Sequence, residues 1–400
     1  MSEASGPLAG IRVIELGAFI AGPFCGQLLA DLGADVVKIE PPGGGDAMRQ
    51  WGAVREDGKT LWWPVIARNK RSVTVDLHTK DGQNIVRELA ADADVLIENF
   101  RPGTLEKWGL SPQLLLERNE RLIVGRVSGF GQTGPYHNRV GFGAIAEAMA
   151  GLRHLTGYPD QPPPRVGISI GDSLAGMFTT IGILAALEAR HRTGRGQVVD
   201  VGITDSVLGV LESVVSEYSA TGTVRGRTGS TLPRIAPSNL YPTEDGTWIL
   251  IAGNGDAIFR RLATAMGRPE LANDPRYCTH RDRGRHQQEL DDLIADWTRK
   301  HSLSDLMALL EEHGVPAGPV SDAADVANNP HFRERGAVVT VDSEEYGTLS
   351  MQGVVPRLSD TPGEIRWLGP ALGRHTEEVL RERLGLDPQA LAALRDHGVI

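Results

Sequence analysis

What most constrains this chain is an alternation in its first third. Strand-like apolar runs at residues 11–16, 35–39, 72–77, 95–98 and 122–127 are separated by helical stretches at 24–32, 83–91 and 112–118. Such an order builds a parallel sheet with helices on its faces. Residues 172–190 have the length and composition of a mostly buried helix, rich in Ala and Leu, free of proline and stopping near Gly194. A short strand at 197–201 and a second long helix follow. From about Gly222 the composition turns to Arg, Thr, Gly and Ser, and Pro233 and Pro237 mark a linker into a smaller domain. That domain opens with a hairpin, 240–242 and 247–252, around Glu244-Asp245-Gly246, because Asp-Gly supplies the positive φ that such turns require. Helices are expected at 257–266, 287–300 and 303–312. Short strands near 337–341 and 348–351 and a helix at 376–384 read as a return to the first domain. The fold class is therefore α/β, with 1–222 as a large domain, 223–330 as a small domain with linkers, and 331–400 completing the large one.

Composition removes several function classes. The chain's 400 residues are 40% hydrophobic, ample material for a large core. Lys and Arg total 41 against 51 Asp and Glu, and the net charge of -10 repels nucleic acid and anionic membranes. Neither partner is expected. Cys25 and Cys278 are the only cysteines and form no C-x-x-C pair, which leaves no disulfide framework and no thiolate zinc site. Residues 1–7 lack a basic leader and an apolar segment behind it, and no apolar run approaches the ~18 residues of a membrane span. The chain is expected to be cytoplasmic and full length.

Local motifs need their context. Residues 129–134 spell G-x-G-x-x-G after a strand, but Pro135 and Tyr136 read as a turn where a dinucleotide site needs a helix. Residues 167–171 spell G-x-S-x-G, which would make Ser169 a nucleophile; Pro162-Pro163-Pro164-Arg165 occupies the place of the buried strand such an elbow caps. Asp172 opens the long helix. Its plain role is an N-cap; alternatively, the helix dipole favours its charge and the small-residue loop admits a substrate, so it can serve as a nucleophile. Cys278, His280 and His286 lie in an Arg-rich turn with no second cluster, and no metal site is expected. Arg68, Lys70 and Arg71, and separately Arg101 and Lys107, stand at strand ends, where they serve either phosphate recognition or ordinary surface charge.

Several longer stretches occur together: PLAGIRVIE at 7–15, Ala21-Gly22-Pro23, LGADVVKIE at 32–40, Asn69-Lys70-Arg71-Ser72, ENFRPG at 98–103, GQTGPY at 131–136 and RTGRGQ at 192–197. In that order they resemble the class III coenzyme A transferases, the formyl-CoA transferase and carnitine CoA-transferase family of CaiB/BaiF type, over nearly the whole chain. The resemblance implies a Rossmann-like large domain built from both chain ends, a smaller domain between, and an interlocked ring-like homodimer. It implies acyl-CoA and a carboxylic acid as substrates, with no tightly bound cofactor. The family's nucleophilic aspartate falls on Asp172. Its coenzyme A contacts fall on Ile20, Ala21, Pro41, Val75, Asp76, Leu77, His78, Asn99, Phe100, Arg101, Lys107, Val140, Gly141, Phe142 and Gly143, many of them through backbone atoms. Trp51 falls on an acyl-pocket position.

Departures from the family pattern narrow the chemistry. The family's racemases have a histidine base where this chain has Phe142, so no acid/base pair for an α-carbon is evident. Formyl-CoA transferase has an acidic residue at Gly143. Its run of glycines is missing, and Gly253-Asn254-Gly255 is the nearest substitute, with backbone N–H groups for an oxyanion. Residues 141–149 and 167–174 look closest to transferases that use succinyl-CoA and small dicarboxylates such as malate, citramalate or itaconate. Arg49, Arg153 and Arg165 are the cations considered for a second substrate carboxylate. A racemase of the same superfamily and a CoA-binding protein without activity are the competing readings.

Overall fold

The sheet follows from paired apolar residues that point to opposite faces. In Val13-Ile14, Val36-Val37, Leu96-Ile97 and Ile123-Val124 one member of each pair packs into each of two separate cores, as the two-residue period of a strand requires. A computed structural model describes residues 6–55 and 57–400. The strands are β1 (Arg12–Glu15), β2 (Asp35–Glu40), β3 (Lys70–Thr74), β4 (Val95–Glu98), β5 (Ile123–Ser128) and β6 (Val198–Gly202). They form one sheet in the order β3-β2-β1-β4-β5-β6, and every neighbouring pair is parallel. The order reverses between β1 and β4, and in open parallel sheets ligands bind outside the carboxyl ends of the strands at such a reversal.

One face is covered by the helix Lys80–Ala91 and the C-terminal helices Thr376–Leu384 and Pro388–Asp396, through Ile85, Val86, Leu89, Val379, Leu380 and Leu391. The other is covered by the helices Ala21–Asp31 and Ile170–Thr193, through Cys25, Leu29, Ile183 and Leu187. The long helix stops at Gly194, whose φ of +73° suits the left-handed C-cap. By length and composition alone it could cross a membrane; in this fold it packs on β5, β6 and the helix Ala21–Asp31. A Cβ at Gly176 would lie 2.9 Å from the Ala21 carbonyl oxygen, so this glycine permits the close approach of the two helices.

The chain divides into two units: residues 6–152, 166–216 and 329–400 in the larger, and 153–165 with 217–328 in the smaller. The segment 153–165, expected in the large domain, groups with the small one because Gly229 N–H donates to the Gly157 oxygen at 2.9 Å and Arg227 donates to the Tyr158 oxygen at 3.1 Å. In the smaller unit β7 (Ser238–Pro242) and β8 (Trp248–Ala252) form the expected hairpin, with Gly246 at φ +76°. Here β9 (Ala317–Pro319) adds a third strand, and the helices Asp256–Ala265, Gln287–Thr298 and Leu303–Glu312 pack behind the sheet through Phe259, Leu262, Leu290, Ile294, Leu306 and Leu310. The late strands form a separate hairpin, β10 (Val338–Ser343) with β11 (Gly347–Gln352), in the larger unit.

Candidate active site

The turn after β1 is held by groups that face away from solvent. Lys38 Nζ donates to the Gly17 oxygen at 2.6 Å and pairs with Glu15 at 3.0 Å and Asp46 at 2.8 Å, all three side chains being buried. Burial opposes the Lys38 charge, but Glu15, Asp46 and Glu40 outweigh it and hold the ammonium above its ordinary pKa. Asp46 also accepts from Phe19 N–H at 3.2 Å. From β4, Asn99 accepts from Ala18 N–H at 2.8 Å and donates to the Ala18 oxygen at 2.7 Å. These restraints hold Phe19 at φ +63°, the left-handed region that costs a non-glycine residue of order 1 kcal/mol or more.

The loop after β4 is pinned in a similar way. Glu98 accepts from Phe100 N–H at 2.8 Å and from Arg126 at 2.6 Å, and Arg126 reaches on to Glu106 at 2.9 Å. Burial raises the Glu98 carboxyl to about 7 against the pull of Arg126. Phe100 packs edge-on against Trp108 at 5.0 Å, and His78 does the same at 5.8 Å, which ties the loop after β3 to the loop after β4. Trp108 carried no motif signal.

Asp172 is the third residue of the helix Ile170–Thr193, and Ser169 takes the N-cap position. The expectation that Asp172 itself caps the helix is corrected: capping requires non-helical backbone one turn earlier. Its carboxylate instead lies on Gly143, the first residue of the helix Gly143–Met149; a Cβ at Gly143 would stand 2.3 Å from Asp172 Oδ2. No side chain fits at 143 with Asp172 in this position, which accounts for the missing acidic residue. Glu147, fully buried on the same helix, accepts from Gly171 N–H at 3.4 Å and so braces the turn that carries Asp172. Sequence reading did not single it out.

Asp172 opens into a cavity of about 250 Å³. Phe19, Ile20 and Ala21 line it from β1, Asn99, Phe100, Arg101 and Pro102 from β4, and Val127, Ser128 and Gly129 from β5. Arg139, Val140, Gly141, Phe142 and Ile203 complete it. A carboxylate is thereby presented beside backbone-rich strand ends and exposed cations, an arrangement suited to nucleophilic attack on an anionic, phosphate-bearing thioester.

Comparison with known proteins agrees with that chemistry. Residues 8–376 match the family model "CoA-transferase family III". The chain belongs to CoA-transferase family III. It is 56% identical to the succinyl-CoA–D-citramalate CoA-transferase of Chloroflexus aurantiacus over 98% of both chains. It is 45% identical to the beta subunit of that organism's succinyl-CoA–L-malate CoA-transferase, again over 98% of each. A crystal structure of a CAIB/BAIF family protein from Brucella suis superimposes with a TM-score of 0.83 at 38% identity, covering 95% of this chain and 100% of that one. The chain is a CoA-transferase enzyme, and the racemase and inactive readings are set aside.

For a transferase of this family the strand order explains where the expected contacts fall. Ile20 and Ala21 follow β1, Pro41 follows β2, Val75 to His78 follow β3, and Asn99 to Arg101 follow β4. A parallel sheet brings all of them to one edge. Val75 and Leu77 bury their side chains in the core, so they can offer a ligand only backbone. Pro41, Val75 to His78 and Lys107 lie outside the cavity that holds Asp172, as does Trp51, whose ring packs on Phe19 at 5.3 Å.

Other expectations are corrected. Arg68, Lys70 and Arg71 are buried and paired, with Asp31 at 2.6 Å, Glu15 at 2.8 Å and Asp35 at 2.6 Å. They precede or begin β3, at the sheet edge opposite the cavity, and are no phosphate site. Arg49 donates twice to Glu40 at 2.8 Å, once to the Pro370 oxygen at 3.1 Å, and stacks on Trp63 at 3.7 Å, which leaves it no role toward a substrate carboxylate. Arg153 and Arg165 belong to the smaller unit, as do Gly253, Asn254 and Gly255. Gly253 N–H already donates to the Pro237 oxygen at 2.8 Å, so it is no oxyanion donor. Fully buried Arg283 fixes that turn by donating to the Asn254 oxygen at 2.7 Å. The sequence motif at 129–134 runs into turns, with no helix before Gly143, and residues 157–169 form no strand ahead of Ser169.

Proposed function

We propose that this enzyme moves coenzyme A from succinyl-CoA to a small dicarboxylic acid of the malate, citramalate or itaconate type, with Asp172 as nucleophile. The observation that carries the reading is the cavity in which Asp172 faces the β1, β4 and Val140–Phe142 segments assigned to coenzyme A. The 56% identity to a succinyl-CoA–D-citramalate transferase supports the choice of donor and acceptor.

An Asp172 carboxylate oxygen attacks the thioester carbonyl, the C–S bond breaks and CoA leaves as thiolate, giving a mixed anhydride. The thiolate then attacks the Asp172 acyl carbon and expels the donor acid as carboxylate. The acceptor carboxylate attacks the resulting aspartyl-CoA thioester and releases thiolate, which takes the acceptor's acyl group and returns Asp172 to carboxylate. Each step exchanges one acyl bond for another and requires water to be kept out. The reading includes a cytoplasmic, interlocked homodimer.

Incubation with succinyl-CoA, a hydroxylamine quench and peptide mapping should place a hydroxamate on Asp172. A peptide left unmodified while the enzyme turns over would refute the covalent cycle. Sedimentation at micromolar concentration should return the mass of a dimer.

A further inference from the structure

The arginines of the larger unit divide by what they touch. Arg49, Arg68, Arg71 and Arg126 are each engaged by protein carboxylates. Arg139 is exposed, and among the described residues its guanidinium has no carboxylate within ion-pair distance. It is nevertheless held in place: the guanidinium lies over the Tyr136 ring at 3.6 Å, and Tyr136 packs edge-on against Phe130 at 5.9 Å. Stacking occupies a face of the guanidinium and leaves its in-plane N–H fork available, the geometry that matches a carboxylate in two parallel bonds.

Arg139 lines the same cavity as Asp172, on the segment that leads into Gly143, where the Asp172 carboxylate rests. Arg101 lines the wall after β4, among the residues assigned to coenzyme A. A cavity of about 250 Å³ is smaller than a usual drug-sized pocket and suits an acyl group with its thioester end. A dicarboxylate whose reacting end meets Asp172 leaves its second carboxylate in need of a cation.

We infer that Arg139 is the specificity-determining residue that binds the distal carboxylate of the acyl group, in both succinyl-CoA and the acceptor acid. The inference rests on the dicarboxylate reading above. Sequence spacing did not mark Arg139, whereas Arg49, which it did, is taken up by Glu40.

The test is steady-state kinetics of the full-length enzyme and R139Q, with succinyl-CoA as donor and L-malate or citramalate as acceptor. Butyryl-CoA, measured as a competitive inhibitor, reports on the coenzyme A moiety without a distal carboxylate. The expected result is a KM for succinyl-CoA and for the diacid about 10- to 100-fold higher in R139Q, the usual range for a lost hydrogen bond to a charged group, with the butyryl-CoA inhibition constant within about twofold. R139K, which keeps the charge and loses the fork, should fall between. If wild type transfers to no dicarboxylate, the reading of the reaction itself fails. If wild type transfers but R139Q keeps the diacid KM, or loses butyryl-CoA affinity by the same factor, the assignment of Arg139 is overturned.

Discussion

The two walls of the Asp172 cavity are built on different terms. The wall at β1 and β4 is set by buried groups: Lys38, Asp46 and Asn99 clamp residues 17–19, and Glu98 clamps Phe100. The wall at 139–142 is set by chain geometry and surface stacking, with Val140 at 55% and Phe142 at 62% exposure. One wall is fixed by its buried partners. The other offers side chains whose replacement disturbs little else, and that is where substrate choice can be tuned.

The largest effect is expected where the walls meet. Asp172→Ala should lower CoA exchange by about 10⁴-fold or more, with the affinity for CoA changed no more than several-fold; retained turnover would remove Asp172 as nucleophile. Next comes the clamped wall. Lys38→Met leaves Asp46 buried without its ammonium partner and Glu15 with Lys70 alone, and urea unfolding should show a loss of about 3–5 kcal/mol. A loss under about 1 kcal/mol would mean that the clamp does not set this wall.

Gly143→Ala probes the contact between the walls. The added methyl group must displace the Asp172 carboxylate, so kcat/KM should fall roughly 100-fold, as for a misplacement of about 1 Å, while the melting temperature holds. Unchanged kinetics would show that Asp172 reacts from another position.

The Glu98 clamp gives a pH test. The folded chain holds the proton to about 7, whereas the unfolded carboxyl releases it near 4.5. Stability from this group is therefore complete below about 4.5 and is lost as pH rises through about 7. Glu98→Gln should abolish that slope, on the order of 3 kcal/mol, in urea unfolding across the window; an identical slope assigns it elsewhere. The smallest effect belongs to the exposed wall. Phe142→Ala should raise the KM for acyl-CoA about 3- to 10-fold with stability within about 0.5 kcal/mol, and a collapse in stability would show that this wall is as constrained as the other.

The sheet was legible because paired apolar residues such as Val36-Val37 state both faces at once. The position of Asp172 at the start of a long apolar helix was legible too. What sequence could not show was pairing at a distance. Lys70 and Arg71 look like surface charge until Glu15 and Asp35 arrive from other strands. Arg49 looks available until Glu40 takes its fork. Arg139 carries no pattern of its own, since a stack on Tyr136 and a shared cavity exist only after folding. Glu147 is an ordinary helical glutamate until Gly171 N–H meets it.

The tight seat of the long helix on Ala21, allowed by Gly176, has a consequence for how such enzymes diverge. A helix rises 1.5 Å per residue, so sliding this one would carry the Asp172 carboxylate off its seat on Gly143 before any room was gained. Under the proposed function, drift toward new acids is therefore channelled into residues 139–142, where exchanging one side chain leaves the scaffold untouched.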